Sequence, residues 1–296
     1  ELSPFSKYEI KGEKAYEELQ RLCTANIKNE IGKCTYTHML NEGAGIETDL
    51  TVVSIDKNYF RIISSATVRT HDKAHILKYL SKDVEFKDVT DEFVCLGIFG
   101  PKSRELLSKI CNDDISNKSF NFGTGKYIKI ETIEIWAQRL SYVGELGFEL
   151  YVKNSNAKQI YNLITNVGKQ FHLSHCGAHT MDTMRMESGF LHWGHDISPE
   201  ENQFQAGLNF TISFKKKYEF IGKEELLKIK NQKIKRRFVM MVLESNQPGY
   251  PLLLHEEPIY LENDIIGKTT SGNFSFNFNK NLSFGYINSV LTNEEI

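Results

Sequence analysis

A carboxylate placed inside an apolar strand is the feature that most restricts what this chain can fold into. In Tyr142-Val143-Gly144-Glu145-Leu146-Gly147-Phe148-Glu149, two carboxylates and a phenol surround two glycines, and Glu149 then alternates with Phe148, Leu150 and Tyr151 in a run that reads as buried sheet. Glycine is used where backbone must turn sharply or come close to another group. A buried carboxylate needs a partner. The segment is therefore either a ligand site built into a sheet or a hairpin with exposed glutamates, and the local pattern leaves both open.

The surrounding pattern points to antiparallel sheets. Tyr8 to Gly12 reads as a strand and turn, followed by helical spacing at Ala15, Leu19, Leu22 and Cys23. Tyr36 to Leu40 and Leu50 to Ile55 are β-rich runs flanking the turn Asn41-Glu42-Gly43-Ala44-Gly45, and Tyr59 to Ser64 continues the meander. His75 to Leu80 is expected to be helical. Val94 to Phe99 is an apolar strand ending at Gly100-Pro101, where proline opens a helix running to Ile110. Tyr127 to Ile130 and Ile133 to Trp136 form a hairpin, and Ala157 to Val167 and Thr180 to Glu187 form helices. This mixture predicts an α+β body rather than a doubly wound parallel sheet. From about Lys235 the pattern changes to short strands, namely Phe238 to Leu243, Pro258 to Leu261, Ile265 to Lys268, Phe274 to Phe278 and Leu282 to Ile287, which predict a small β-barrel or sandwich. The expected division is thus residues 1-234 as an α+β body of two lobes and residues 235-296 as a β-barrel domain.

Composition removes several classes of function. With 296 residues and 40% hydrophobic content the chain can bury a large core and is expected to form two or three lobes. Its net charge is -2 with both signs interspersed, and the basic run Lys233-Ile234-Lys235-Arg236-Arg237 is short, so no nucleic-acid partner is expected. No apolar run approaches the roughly 20 residues of a membrane span, and Glu1-Leu2-Ser3-Pro4 lacks the regions of a signal peptide, so no membrane partner is expected. Five cysteines, Cys23, Cys34, Cys95, Cys111 and Cys176, show no CxxC spacing, which fits a reducing compartment better than a disulfide framework or zinc cluster. The start on Glu and the stop at Asn293-Glu294-Glu295-Ile296 lead us to expect a piece of a longer protein. The chain contains no GxGxxG after a strand, GxxxxGK[ST], GxSxG or HExxH, so dinucleotide, nucleoside triphosphate, hydrolase and zincin readings lose support.

Other residues could carry chemistry. Asp49 follows a glycine-rich approach to a strand, where a carboxylate can orient an amine or accept a proton; capping a turn is the competing role. Glu47 would share a face with it. Asp182 and Arg185 stand three apart and can pair on a helix. His192-Trp193-Gly194-His195-Asp196 is not a specific metal signature; a packed turn is the better reading and no metal is expected.

Taken in order, these motifs resemble the tetrahydrofolate-dependent aminomethyltransferase family, the glycine-cleavage T-protein group, and most closely the folate-binding C-terminal half of sarcosine and dimethylglycine dehydrogenases. The likeness is carried by Leu2 to Tyr8, Tyr36-Thr37-His38-Met39-Leu40-Asn41, Glu47 to Val52, Gly100-Pro101, Tyr142 to Glu149 and Arg185 to Gly189. It continues through His192 to Ile197, Phe220 to Glu224, Lys235-Arg236-Arg237 and Thr270-Ser271-Gly272. The resemblance implies a three-lobed, cloverleaf-like α+β fold with antiparallel sheets and a C-terminal β-barrel lobe. It implies that Asp49 is catalytic, near N10 of tetrahydrofolate, that Tyr142 contacts the folate, and that Glu149 accepts hydrogen bonds from the pteridine ring. Met39 and Arg185 are implied among the folate-binding residues, with Arg185 either a contact or a support for Glu187 or Glu149.

The implied reaction is one-carbon transfer, in which an amine-derived iminium or formaldehyde-level carbon is captured to give 5,10-methylenetetrahydrofolate. FAD is implied only if a separate dehydrogenase domain or subunit accompanies the chain, because the flavin-binding half of those dehydrogenases is missing. The family's last strand and an arginine beyond Gly285-Tyr286 are expected to be absent. The implied location is cytoplasmic, or the mitochondrial matrix in a eukaryote. Met181, where T-proteins of the glycine system usually carry arginine, favours the dehydrogenase branch over a free-standing aminomethyltransferase fed by a lipoylated carrier. A non-catalytic folate protein of iron–sulfur cluster maintenance is disfavoured, because Lys217 to Glu224 lacks that group's cysteine.

Overall fold

The computed structural model describes residues 1–251 and 253–288. In order along the chain come β1 (Ser6–Lys11), α1 (Ala15–Leu22), β2 (Cys34–Leu40), β3 (Ile46–Asp56), β4 (Tyr59–Ser64), α2 (Arg69–Tyr79), β5 (Glu85–Asp88), β6 (Phe93–Phe99) and α3 (Ser103–Ile110). Then follow β7 (Thr124–Ile130), β8 (Ile133–Arg139), β9 (Gly147–Lys153), α4 (Asn154–Gly168), α5 (Ala178–Glu187), α6 (Lys223–Lys230), β10 (Arg236–Val242), β11 (Pro258–Leu261), β12 (Asp264–Ser275) and β13 (Lys280–Asn288). The sheets have the orders β2-β3-β4-β1-β5, β6-β9-β8-β7 and β10-β13-β12-β11. The antiparallel α+β class predicted by the short turns is the one observed. No helix among the described residues is long and apolar enough to cross a membrane.

The chain forms two compact units, one from residues 1–22, 26–37 and 50–176, the other from 23–25, 38–49 and 177–296. In the first, one face of the β6-β9-β8-β7 sheet buries Ile98, Ile128, Ile135, Phe148 and Leu150 against α3 and α4. These residues sit at alternate positions, as a half-buried strand requires. The other face is mixed: Cys95, Trp136 and Tyr151 pack there with Val53 and Ile55. In the second unit, Leu40, Ala44 and Ile46 pack with Leu191, Ile197, Leu208 and Phe220, and Met186 packs with Leu282 and Phe284.

Strand β5 and helix α6 have no counterpart in the sequence expectation, and two further regions differ from it. Helix α2 begins six residues before His75, at Arg69, because its first turns are polar and carry no apolar period. The expected strands Ile265 to Lys268 and Phe274 to Phe278 are not separate: β12 runs unbroken from Asp264 to Ser275, with a register shift between Thr269 and Ser271, and the chain turns before β13 at Asn279 in the left-handed region (φ 51°). The terminal Asn293-Glu294-Glu295-Ile296 lies outside the described residues.

Candidate active site

In the first unit, Glu149 sits on β9 between two strands, opposite Gly97 of β6 and Gln138 of β8. Alternation puts Tyr151 on the same face, with Trp136 and Cys95 beside it. Gly97 is required there, since a Cβ would lie 2.4 Å from the Phe99 ring; a Cβ on Gly147 would meet the same ring at 2.3 Å. Phe99 therefore lies flat along the glycines that flank Glu149. The two glycines of the Tyr142 segment have separate tasks: Gly144 turns the chain with φ 76°, and Gly147 admits the ring. Tyr142 is half-buried in this turn.

The Glu149 carboxyl is half-buried and receives one hydrogen bond, from the Tyr151 hydroxyl to Oε2 at 2.8 Å. Burial raises its pKa above the ordinary carboxylate value, and the Tyr151 bond only partly opposes this. No donor reaches Oε1 among the described residues. The neighbouring Gln138 Nε2 is buried without an acceptor, although Gln138 is fully enclosed. A carboxylate with a free lone-pair edge beside an unsatisfied amide is the chemistry of a site for a ligand that offers adjacent N–H donors and an acceptor. The hairpin with exposed glutamates is not what forms, for Glu149 lies in the middle of the sheet.

The second unit holds Met39, Asp49 and Arg185. Asp49 lies on β3, whose alternating burial leaves Glu47, Asp49 and Thr51 on the more open face. The strand start is fixed by the turn Asn41 to Gly45: Asn41 Oδ1 accepts from Gly45 N at 3.0 Å, and Asn41 Nδ2 donates to Glu47 at 3.0 Å. A Cβ on Gly45 would fall 2.0 Å from the Pro199 carbonyl, which explains the glycine. Ile46 is clamped by its N–H to Glu201 O and by Trp193 Nε1 to its carbonyl.

His38 Nε2 stands 3.9 Å from Asp49 Oδ1. Burial drives the His38 pKa down to about 3, so the ring is neutral at physiological pH and the two do not form an ion pair. The tautomer follows from Thr211. Its hydroxyl donates to Leu208 O at 2.7 Å, so it must accept from His38 Nδ1 at 3.1 Å. His38 thus presents a neutral ring, not a charge, toward Asp49.

Met39 has no exposed surface and bridges to Cys23. Arg185 is 1% exposed and committed within the protein: Nε donates to Asp182, Nη1 to Asp196 Oδ2 at 2.5 Å and to Phe190 O, and Nη2 to Ser271. Glu187 is bound instead by Ser275 and Asn277. Asp196 faces Arg185, Thr270 and Ser271, while the His192 and His195 rings meet with centroids 4.4 Å apart and planes tilted by 53°. Sequence reasoning passed over Tyr151 and Gln138 because their polar ends lie on apolar-looking strands, and over His38 because a single histidine in a strand carries no signature.

The model of the GCVT N-terminal domain matches residues 1–216, and that of the glycine cleavage T-protein C-terminal barrel domain matches residues 236–295. The chain is 33% identical over 290 residues to mitochondrial dimethylglycine dehydrogenase of Homo sapiens, covering 97% of this chain and 33% of that protein. It is 33% identical over 282 residues to an aminomethyltransferase of Caldanaerobacter subterraneus subsp. tengcongensis, covering 95% of this chain and 74% of that one. The chain therefore spans about a third of the length of the dehydrogenase relatives. The glycine cleavage system aminomethyltransferase T of Bartonella henselae shares the fold, with a TM-score of 0.85 at 22% identity over 98% of this chain and 77% of that one. With both halves matched in order, the chain belongs to the glycine cleavage T-protein family.

Proposed function

We propose that the chain binds tetrahydrofolate through Glu149 and Tyr142 and transfers a one-carbon unit to it with Asp49, giving 5,10-methylenetetrahydrofolate. The observation that carries this reading is the half-buried Glu149 carboxylate, which keeps one oxygen free beside the unsatisfied Gln138 amide. The pterin edge offers adjacent N–H donors, and a charge-assisted bond to them is about twice as strong as a neutral one. The Phe99 ring along Gly97 and Gly147 supplies an apolar wall for a flat heterocycle. Bound folate would supply the nucleophilic nitrogens. Asp49 would hold or accept the proton of the attacking nitrogen and stabilise developing positive charge. Met39 and Arg185, both enclosed, would act from behind: Met39 as packing, Arg185 by fixing the His192 to Ile197 turn whose Trp193 clamps Ile46.

The source of the carbon is proposed from the dehydrogenase relatives: a methylated amine oxidised by a flavin domain or subunit, to which this chain would be the folate-binding part. A second reading is a stand-alone aminomethyltransferase, favoured by relatives of that name of which the chain spans 74% and 77%. Five free cysteines fit a reducing compartment.

Isothermal titration of tetrahydrofolate into the chain, Asp49→Ala and Glu149→Ala, under reducing and oxygen-free conditions, tests the folate site. Binding abolished by Glu149→Ala and kept by Asp49→Ala is expected. Absence of binding to the unmutated chain overturns the reading.

A further inference from the structure

The opposite face of the sheet that carries Glu149 holds two arginines that form no ion pair among the described residues. Arg104, on α3, donates Nε to Ile115 O at 3.1 Å, and Arg139, at the end of β8, donates Nη1 to Phe120 O at 2.8 Å. Both are partly buried, and Arg104 Nη2 and Arg139 Nε are enclosed donors without an acceptor. Neither arginine pairs with a carboxylate among the described residues. The two flank one aromatic pair: the Arg104 guanidinium lies 5.9 Å from the Phe148 ring centroid, and Phe148 is 5.6 Å from Phe120. Burial first, and the Arg104 charge second, push the Arg139 pKa below the usual arginine value. Like charges held together in a partly desolvated place lower stability unless a counter-charge arrives.

Arg104 also lines a cavity of about 520 Å³ with Glu105, Ser108, Lys109, Leu146 and Phe171. Its walls combine two cations and a hydroxyl with an aliphatic and an aromatic side chain, and Glu105 is its one acid. The Phe148 side chain points away from that of Glu149, so this cavity is separate from the proposed folate site.

We propose that Arg104, with Arg139 beside it and Lys109 in the same cavity, forms a binding site for a small organic oxyanion, a carboxylate or phosphate carried on an apolar body. The Arg104 guanidinium, whose Nε is held by the Ile115 carbonyl, accepts such a group through its remaining N–H groups, Lys109 adds charge, and Leu146 and Phe171 cover the body. If the arginines served only to cap the Ile115 and Phe120 carbonyls, anions would find no specific affinity here.

The test is calorimetric titration and thermal unfolding of the chain with benzoate, phenyl phosphate, inorganic phosphate and benzamide. Benzoate or phenyl phosphate is expected to bind and raise the unfolding temperature; the tighter of the two identifies a carboxylate or a phosphate source, and benzamide is expected not to bind. Arg104→Gln should weaken the anion about tenfold or more, the loss of a hydrogen bond to a charged group. Arg139→Gln should leave the free protein as stable or more so, because the repulsion from the Arg104 charge is relieved, while shrinking the anion-induced rise. Equal responses to benzoate and benzamide, inorganic phosphate binding as tightly as phenyl phosphate, or unaltered anion binding by Arg104→Gln would overturn the proposal. Should Arg104→Gln fail to fold, Arg104→Lys, which keeps the charge but loses the guanidinium, replaces it: weakened binding supports the site and unchanged binding overturns it.

Discussion

The Tyr151 hydroxyl donates to Glu149 Oε2 at 2.8 Å, and both side chains share one face of β9. Tyr151 is 2% exposed, with the Arg61 guanidinium 5.9 Å from its ring centroid, so the donor is held in place. It is the one opposing influence on a carboxyl whose pKa burial has raised. Tyr151→Phe is therefore expected to raise the Glu149 pKa further and to weaken tetrahydrofolate by leaving less of the carboxyl ionised. The folded state prefers the protonated carboxyl, so this residue's contribution to stability is present below the ordinary value of 4.5 and is lost as pH rises through the folded value. Glu149→Gln should then match the unmutated chain in urea at acid pH and exceed it toward neutrality. A pH-independent difference would count against a raised pKa.

Asp49 makes a different prediction because its role is proposed for the reaction and not for the grip. Asp49→Asn keeps the shape and removes the proton acceptor, on a strand start that Asn41 and Trp193 hold independently of it. Tetrahydrofolate affinity should stay near that of the unmutated chain. The acceleration of formaldehyde condensation with tetrahydrofolate over the uncatalysed rate should fall by about 100- to 10,000-fold, the range for loss of a general base. Loss of binding with rate unchanged at saturation would make Asp49 a binding residue only.

Local pattern made the strands legible where alternation is strong. Ile128 and Ile130 against Ile133 and Ile135 announce the β7–β8 hairpin, and the change at Lys235 precedes β10 at Arg236. Glu149 was legible because a carboxylate interrupts an apolar run. Its neighbours were not, since Gln138 and Tyr151 come together only through strand pairing, which no short window contains. The buried Glu9–Arg61 pair at 2.7 Å is hidden for the same reason: β1 and β4 meet across the register Glu9 to Arg61, far apart in the chain. Arg185 is the instructive case. Its spacing from Asp182 does make the expected i,i+3 pair, yet the shorter contact is to Asp196, eleven residues on.

His38 gives the pH prediction at the acid end. An unfolded histidine takes its proton near pH 6.5, whereas the buried ring does so only near pH 3. The native state is favoured by this group above pH 6.5, and the contribution is lost as pH falls from 6.5 toward 3, at about 1.4 kcal/mol per pH unit. The stability gap between the unmutated chain and His38→Gln, measured in urea across that window, should narrow as pH falls. A constant gap would mean that His38 carries its proton in the fold.

Arg185 and Asp196 are each 1% exposed, and their contact is surrounded by further bonds from Thr270, Ser271 and the His192 N–H to the carboxylate. Removing Arg185 leaves the Asp196 charge buried without a cation, whereas Asp196→Asn leaves Arg185 its pairing with Asp182, so Arg185→Met should lower unfolding free energy by about 3–5 kcal/mol and Asp196→Asn by less. The double variant should lose less than the two single losses added together, because no lone charge remains. The effect should also reach the reaction, since the turn that Asp196 organises carries Trp193, whose indole N–H holds the Ile46 carbonyl three residues before Asp49. Urea titration of the cycle, paired with the condensation assay on the fraction that remains folded, separates the two consequences. Additive losses would mean that the residues stabilise the fold independently, and a folded Asp196→Asn with full activity would detach the turn from Asp49.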